Sequence, residues 1–271
     1  IGAGVVGLAS ARALALLGNN VLVAEASTQI GGGVSSRNSE VLHAGIYYPT
    51  GSLKAKACVQ GRAILTDFCT KHFVPFKLCG KLIVATADSQ VSALHDMYAK
   101  GEANGVKGLR LIESSEAIEM EPALSCVAAL HSPNTGIIDS HAYMLALQGE
   151  LEAHGGVVAF DSRVVGGFLS KTEKHIVRVV SSGSGTEAEE SELSFDAVVN
   201  CTSLHATKVA ATFQSDRPFA IPKSYFAKGN YCSFTGPVPF SRLIYPVPKD
   251  AGGGLGIHLT LDLQNQARFG P

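Results

Sequence analysis

Three glycines at GxGxxG spacing, Gly2, Gly4 and Gly7, open the chain and constrain its fold more than any other feature. The first permits a tight strand-to-helix turn. The second lets backbone N–H groups approach a pyrophosphate, and the third lets the helix pack closely on a sheet. The diphosphate of a dinucleotide would lie at the positive end of the helix. An apolar run, Val21-Leu22-Val23-Ala24, follows and ends in Glu25, 18 positions past Gly7. A carboxylate there can accept both hydroxyls of an adenosine ribose. The alternative, a Gly/Ala-rich helix packed without a ligand, leaves that acid unexplained. The expectation is an adenine dinucleotide site in an α/β domain.

The fingerprint needs a strand in front of it, of which Ile1 alone is present, and the chain stops at Gly270-Pro271 after a strand-like run. A fragment of a longer protein is therefore expected, inactive by itself, with no targeting segment visible. Its 271 residues suit one large or two ordinary domains. A formal net charge of −1 argues against a nucleic-acid surface. No apolar run reaches the length of a transmembrane helix, though peripheral membrane contact stays open. The six cysteines show no CxxC spacing, so neither a disulfide frame nor a metal site is expected.

Between Glu25 and the next helical pattern lies a long insertion, Ser27 to Tyr48, rich in Gly, Ser, Arg and Asn. A bare NAD-binding unit would pass directly into its crossover helix. Such a segment can donate several hydrogen bonds to a second nucleotide moiety, which favours FAD, and long loops of this kind are usually functional.

Ser36-Arg37-Asn38-Ser39, then His43-Ala44-Gly45-Ile46-Tyr47-Tyr48, resemble the D-amino-acid-oxidase-type flavoproteins. Within them, the block from Arg37 to Cys58 closely resembles the L-2-hydroxyglutarate dehydrogenases of the plant-like branch. Further matches follow in order: Cys79 to Thr86, Thr135 to His141, Val199-Asn200-Cys201, Leu243 to Pro248, and Gly254 to Asp262. Thr202-Ser203 departs from the family's Ala-Gly and adds side chains where backbone normally approaches the dinucleotide.

Helical spacing is clear from Lys54 to Phe73, from Ser89 (as N-cap) to Asn104, and from about His141 to His154 with Ser140 as N-cap. Strand signals occur at Phe76–Thr86, Leu109–Ile112, Ala128–His131, Gly136–Ile138, Val157–Phe160, Arg163–Val165, His175–Val180, Phe195–Ser203, Tyr225–Phe234, Arg242–Tyr245 and around His258. The acidic stretch between Ser181 and Glu190 reads as a solvated hairpin tip. The expected fold class is α/β: a Rossmann-like FAD-binding domain with an inserted, mostly antiparallel α+β substrate domain. The boundaries expected are residues 1–75 and 139–212 for the first and 76–138 and 213–271 for the second.

The resemblance implies FAD-dependent oxidation of L-2-hydroxyglutarate to 2-oxoglutarate, with hydride passing to flavin N5. It also implies an electron acceptor, such as a quinone or an electron-transfer flavoprotein, and a mitochondrial location. Open alternatives are another 2-hydroxy acid, glycerol 3-phosphate or an amino acid as substrate, or a truncated nucleotide-binding remnant without turnover. The cofactor set it implies is Gly2, Gly4, Gly7, Glu25, Ser36, Arg37, Asn38, Ser39, His43, Gly45, Val164, Cys201 and Thr202. A base that takes the substrate's hydroxyl proton should titrate near working pH, which points to histidine. His258 is the first candidate and His43 the second, the latter as a flavin-side residue with covalent flavin attachment as its alternative. Strand alternation puts Gly256, His258 and Thr260 on an open face and Leu255, Ile257, Leu259 and Leu261 in the core. Lys54, Tyr47 and His258 complete the expected substrate contacts.

Overall fold

The computed structural model describes residues 1–181, 188–248 and 256–270. Its helices are α1 (Val5–Leu16), α2 (Leu53–Lys71), α3 (Val91–Ala103), α4 (Ser114–Met120), α5 (Ser140–Ala153) and α6 (Ala206–Ala211). Backbone contacts divide the chain into two compact units, 1–38 with 140–226, and 39–139 with 227–271. Each unit is made of two separate stretches of chain. Residues 39–75, expected with the FAD-binding part, group instead with the second unit: Gly45 packs on Val59 of α2 and Asn104 at the end of α3 bonds the Gly45 and Tyr48 carbonyls.

In the first unit, α1 starts at Gly4 and buries Gly7, Leu8, Ala11 and Ala15, a stripe at helical period. That side packs on α5, where Arg12 pairs with Glu150. Gly18, at a φ of 83°, closes the helix. Strands Leu22–Ala24 and Val157–Ala159 pair in parallel, as a dinucleotide fold requires. A four-stranded sheet runs in the order Glu189–Phe195, His175–Ser181, Ser162–Leu169, Phe213–Ser215. The tip at 182–187 lies outside the described residues.

The run from Phe195 to Ser203 is not the expected buried strand. Only Phe195 ends a strand, and Val199 is exposed. Its pairing with Ile1 is two bonds, Ile1 N to the Val199 carbonyl at 2.7 Å and Cys201 N to the Ile1 carbonyl at 2.9 Å.

The second unit is built on a seven-stranded, mostly antiparallel sheet. Its order is Cys232–Ser233, Ala267–Gly270, His258–Leu261, Leu243–Pro246, Lys81–Ala85, Ala128–Ser132, Arg110–Glu113, with one parallel pairing between Leu243–Pro246 and Lys81–Ala85. Lys81–Ala85 is buried throughout because both faces are covered. Ile83 and Ala85 meet Leu94 and Met97 of α3; Leu82 and Val84 meet Ala117 of α4. A three-stranded sheet joins Val41–Leu42, Gly136–Ile138 and Phe76–Lys77.

Several local expectations change. The Phe76–Thr86 run breaks at Gly80 (φ 80°) into two strands of different sheets. Ser89 does not cap α3: a 3-10 turn, Asp88–Gln90, precedes it, and Gln90 Oε1 accepts from Thr86 N at 2.8 Å. Between Tyr225 and Phe234 only Cys232–Ser233 is strand, and Tyr225 and Phe226 are exposed.

Candidate functional site

Two clusters of the expected residues form, one in each unit. In the first unit the glycine turn is tight enough to exclude any side chain. A Cβ on Gly7 would lie 1.9 Å from the Gly2 carbonyl oxygen, and Gly2 itself sits at a φ of 95° beside the Cys201 carbonyl. No acidic residue occupies the first turn of α1 and Gly4 supplies no capping side chain. The acceptors at the positive end of the helix therefore come from outside α1. Ser35, outside the expected set, accepts a hydrogen bond from Val5 N at 3.0 Å. Glu25 reaches back to the turn: Oε2 accepts from Ala3 N at 2.7 Å, and Oε1 accepts from Ser27 N at 3.0 Å and Ser27 Oγ at 2.7 Å. A carboxylate has about four acceptor positions, so room for a ribose hydroxyl remains.

Residues 33–38 bond largely among themselves, with one further bond from Asn38 Nδ2 to Ser140 Oγ at 3.4 Å. Ser36 Oγ bonds the Gly33 carbonyl, Arg37 Nη1 bonds Ser36, and Asn38 Nδ2 bonds the Ser35 carbonyl. Thr202 Oγ1 bonds Asn200 Oδ1, and Ser203 takes a left-handed φ of 53° that glycine adopts without strain. Val164 lies on the strand that begins at Ser162, whose N–H bonds the Glu25 carbonyl. Ser39 belongs to the second unit. Gly45, expected at the cofactor, packs against Val59 and Val106 there.

In the second unit His43, Tyr47 and His258 come together, joined by two residues outside the expected set, Lys81 and Tyr245. The His258 ring stacks on Tyr245 with centroids 4.2 Å apart and meets Tyr231 edge-on at 6.3 Å. Its Nδ1 lies 3.1 Å from the Gly256 carbonyl. A carbonyl only accepts, so Nδ1 carries the proton and Nε2 the lone pair. The Lys81 ammonium donates to Tyr47 Oη at 3.4 Å and lies over the rings of Tyr47 and Tyr245, at 4.6 and 4.7 Å. Lys54 is exposed and lies over Tyr48 at 4.6 Å.

Electrostatics follow from this packing. Burial, then the charges of Lys81, His258 and Lys54, push His43 down to about 4. Burial lowers His258 below the usual imidazole value, opposed by its bond to Gly256 and reinforced by Lys81. Burial pushes Lys81 down to about 7 and raises the Tyr47 hydroxyl well above its ordinary value. Both histidines are thus neutral at neutral pH.

The expected open face of the His258 strand is not open: His258 and Thr260 are buried along with Leu259 and Leu261, because neighbouring strands flank it and aromatic rings cover the histidine. Ile257, expected in the core, is 75% exposed. Leu255 lies outside the described residues. Among the described residues no group of three His, Cys, Asp or Glu side chains could hold a metal, and no helix is long and apolar enough to cross a membrane.

The family model for FAD dependent oxidoreductases (DAO) matches residues 1–271. The chain belongs to this family. The head of α1 has features that fit a dinucleotide: a glycine bend that admits no Cβ, backbone N–H groups at a helix start and an acid beside them. The chain is 42% identical over 294 residues to the mitochondrial L-2-hydroxyglutarate dehydrogenase of Arabidopsis thaliana, covering all of this chain and 60% of that protein. It is 33% identical over 291 residues to the Homo sapiens protein of that name, covering 59% of it. The chain thus spans about 60% of the length of these curated relatives. In fold it is similar to the FAD-bound, dithionite-reduced L-alpha-glycerophosphate oxidase of Mycoplasma pneumoniae, with a TM-score of 0.82 at 20% identity over 100% of this chain and 69% of the other. Glycine oxidase from Geobacillus kaustophilus gives 0.78 at 20% identity over 99% and 68%.

Proposed function

We propose that this flavoprotein, in its full-length form, oxidises L-2-hydroxyglutarate to 2-oxoglutarate in the mitochondrion and passes the electrons to a quinone or an electron-transfer flavoprotein. The observation that carries the chemistry is the neutral His258, its Nδ1 proton committed to Gly256, in a cluster that contains His43 and lysines. The substrate's identity is supported by the 42% identity to the Arabidopsis thaliana protein.

FAD, when bound, supplies a two-electron acceptor for the carbon–hydrogen bond that is broken. Gly2, Gly4 and Gly7 would give its pyrophosphate close access to backbone N–H groups, and Glu25 would accept from the ribose. His258 takes the hydroxyl proton on Nε2, and the Tyr245 stack holds the ring in plane. A histidine already protonated at neutral pH could not do this; burial keeps it neutral. The tyrosine rings exclude water, and the lysine charges favour an acid substrate.

Full-length protein loaded with FAD and kept anaerobic is the test. L-2-Hydroxyglutarate should bleach the flavin and yield 2-oxoglutarate, whereas the D-enantiomer, glycerol 3-phosphate and glycine should not. Bleaching by one of those three and not by L-2-hydroxyglutarate would contradict the proposal.

A further inference from the structure

Lys81 is 1% exposed at the start of a strand whose alternation puts it on the same face as Ile83 and Ala85, in the main core. Its one hydrogen bond among the described residues, to Tyr47 Oη, is long at 3.4 Å. An ammonium has three donors, so the bond leaves two of them over. Two tyrosine faces return part of the desolvation cost, but a buried ammonium is normally paired.

The groups around it supply no pair. His43, Tyr47 and Tyr48 come from the loop before α2; Lys54 and Cys58 from α2, with Arg62 acting on Cys58; Tyr245 from the neighbouring strand and His258 from the strand beyond it. Tyr231 stands edge-on to His258. Every one is neutral or positive, and among the described residues no carboxylate pairs with Lys81.

We propose that Lys81 and the Tyr47 hydroxyl form an anion subsite that takes one carboxylate of the substrate, so that substrate binding carries a proton onto Lys81. This rests on the substrate being a 2-hydroxy acid. The surrounding aromatic rings give a carboxylate–ammonium pair a dry setting. Lys54, exposed on Tyr48, lacks that setting and is not the anchor. Without ligand, Lys81 loses its proton near pH 7; with a carboxylate against it the charged form is restored. Above that pH the ligand must bring a proton in, so affinity falls about tenfold per pH unit. The histidines titrate lower, His43 at about 4, and Cys58 and the tyrosines higher, so this window belongs to Lys81.

The probe is 2-oxoglutarate, titrated into FAD-loaded full-length protein from pH 6 to 9. Flavin absorbance reads the Kd, and calorimetry in two buffers of different ionisation enthalpy reads proton uptake. Wild type should show a constant Kd below pH 7, a rising Kd above it, and uptake approaching one proton at pH 8. Lys81→Met should weaken binding about 10–100-fold at pH 6, the value of a charged hydrogen bond, and abolish both the pH dependence and the uptake. Lys81→Arg should bind well with no uptake. Binding to wild type without proton uptake, or an unchanged Kd in Lys81→Met, would overturn the subsite and leave the substrate reading standing. No binding of 2-oxoglutarate, oxalate or malonate to wild type at any pH would overturn both.

Discussion

At the head of α1, backbone does most of the work: glycines that tolerate no Cβ, a turn of N–H groups of which Val5 N bonds Ser35 Oγ, and one acid, Glu25, that bonds Ala3 N. Around Lys81, side chains do the work: an ammonium, two histidines and several tyrosines packed by residues from four separate stretches of chain. The first region works through local geometry, and the partial charges it presents are smaller than those of an ionised side chain. The second holds full charges and titratable rings away from water, and must answer for that with shifted protonation. The contrast teaches why a glycine turn survives in a short motif while the proposed substrate site is legible only once the sheet has assembled.

Substitutions can break this comparison. The largest effect is expected for His258→Gln in the full-length protein: FAD content unchanged, flavin reduction by L-2-hydroxyglutarate slowed about 10²–10⁴-fold, the usual worth of a general base. Stopped-flow absorbance under anaerobic conditions reads it, and a wild-type rate would remove His258 from its role.

Next comes acid lability. His43 sits at about 4 in the folded chain against an ordinary 6.5, so the unfolded chain binds more protons between those values. Stability is therefore complete above pH 6.5 and falls as pH drops towards 4, by on the order of 3 kcal/mol. Urea unfolding of His43→Gln should show a flatter profile over this window. A profile parallel to wild type would mean that His43 is solvated.

Glu25→Ala should weaken FAD binding by about 1.5–3 kcal/mol through lost charged hydrogen bonds, with substrate specificity intact. An unchanged FAD affinity would show that Glu25 only braces Ala3 and Ser27. The smallest effect is Ser203→Gly, which relieves a left-handed φ of 53°. A gain of about 0.5–1 kcal/mol is expected in chemical denaturation, after allowing for glycine's freer unfolded chain.

The first region was legible because it is contiguous: Gly2, Gly4, Gly7 and Glu25 lie within one strand–turn–helix–strand unit. Ser35 escaped notice because its role, accepting from Val5 N, belongs to a loop's path and not to its composition. In the second region His43, Tyr47 and His258 came from the family resemblance and do converge. Lys81 was hidden, since a lysine at the start of a strand reads as a solvated edge, and its burial depends on Tyr245, far along the chain. Simple alternation failed at Ile257, which is exposed just ahead of a strand buried on both faces. The run to Ser203 is strand only at Phe195, and Val199 is exposed. Periodicity cannot report how many neighbours a strand will have.

The most direct test of this division of labour is a crystal structure of the full-length protein with FAD and 2-oxoglutarate bound. The account predicts pyrophosphate oxygens against the N–H groups of the Gly2–Gly7 turn and a product carboxylate within hydrogen-bond distance of Lys81 Nζ. A carboxylate held by Lys54 or Arg37 instead, with Lys81 still enclosed by its tyrosines alone, would contradict it.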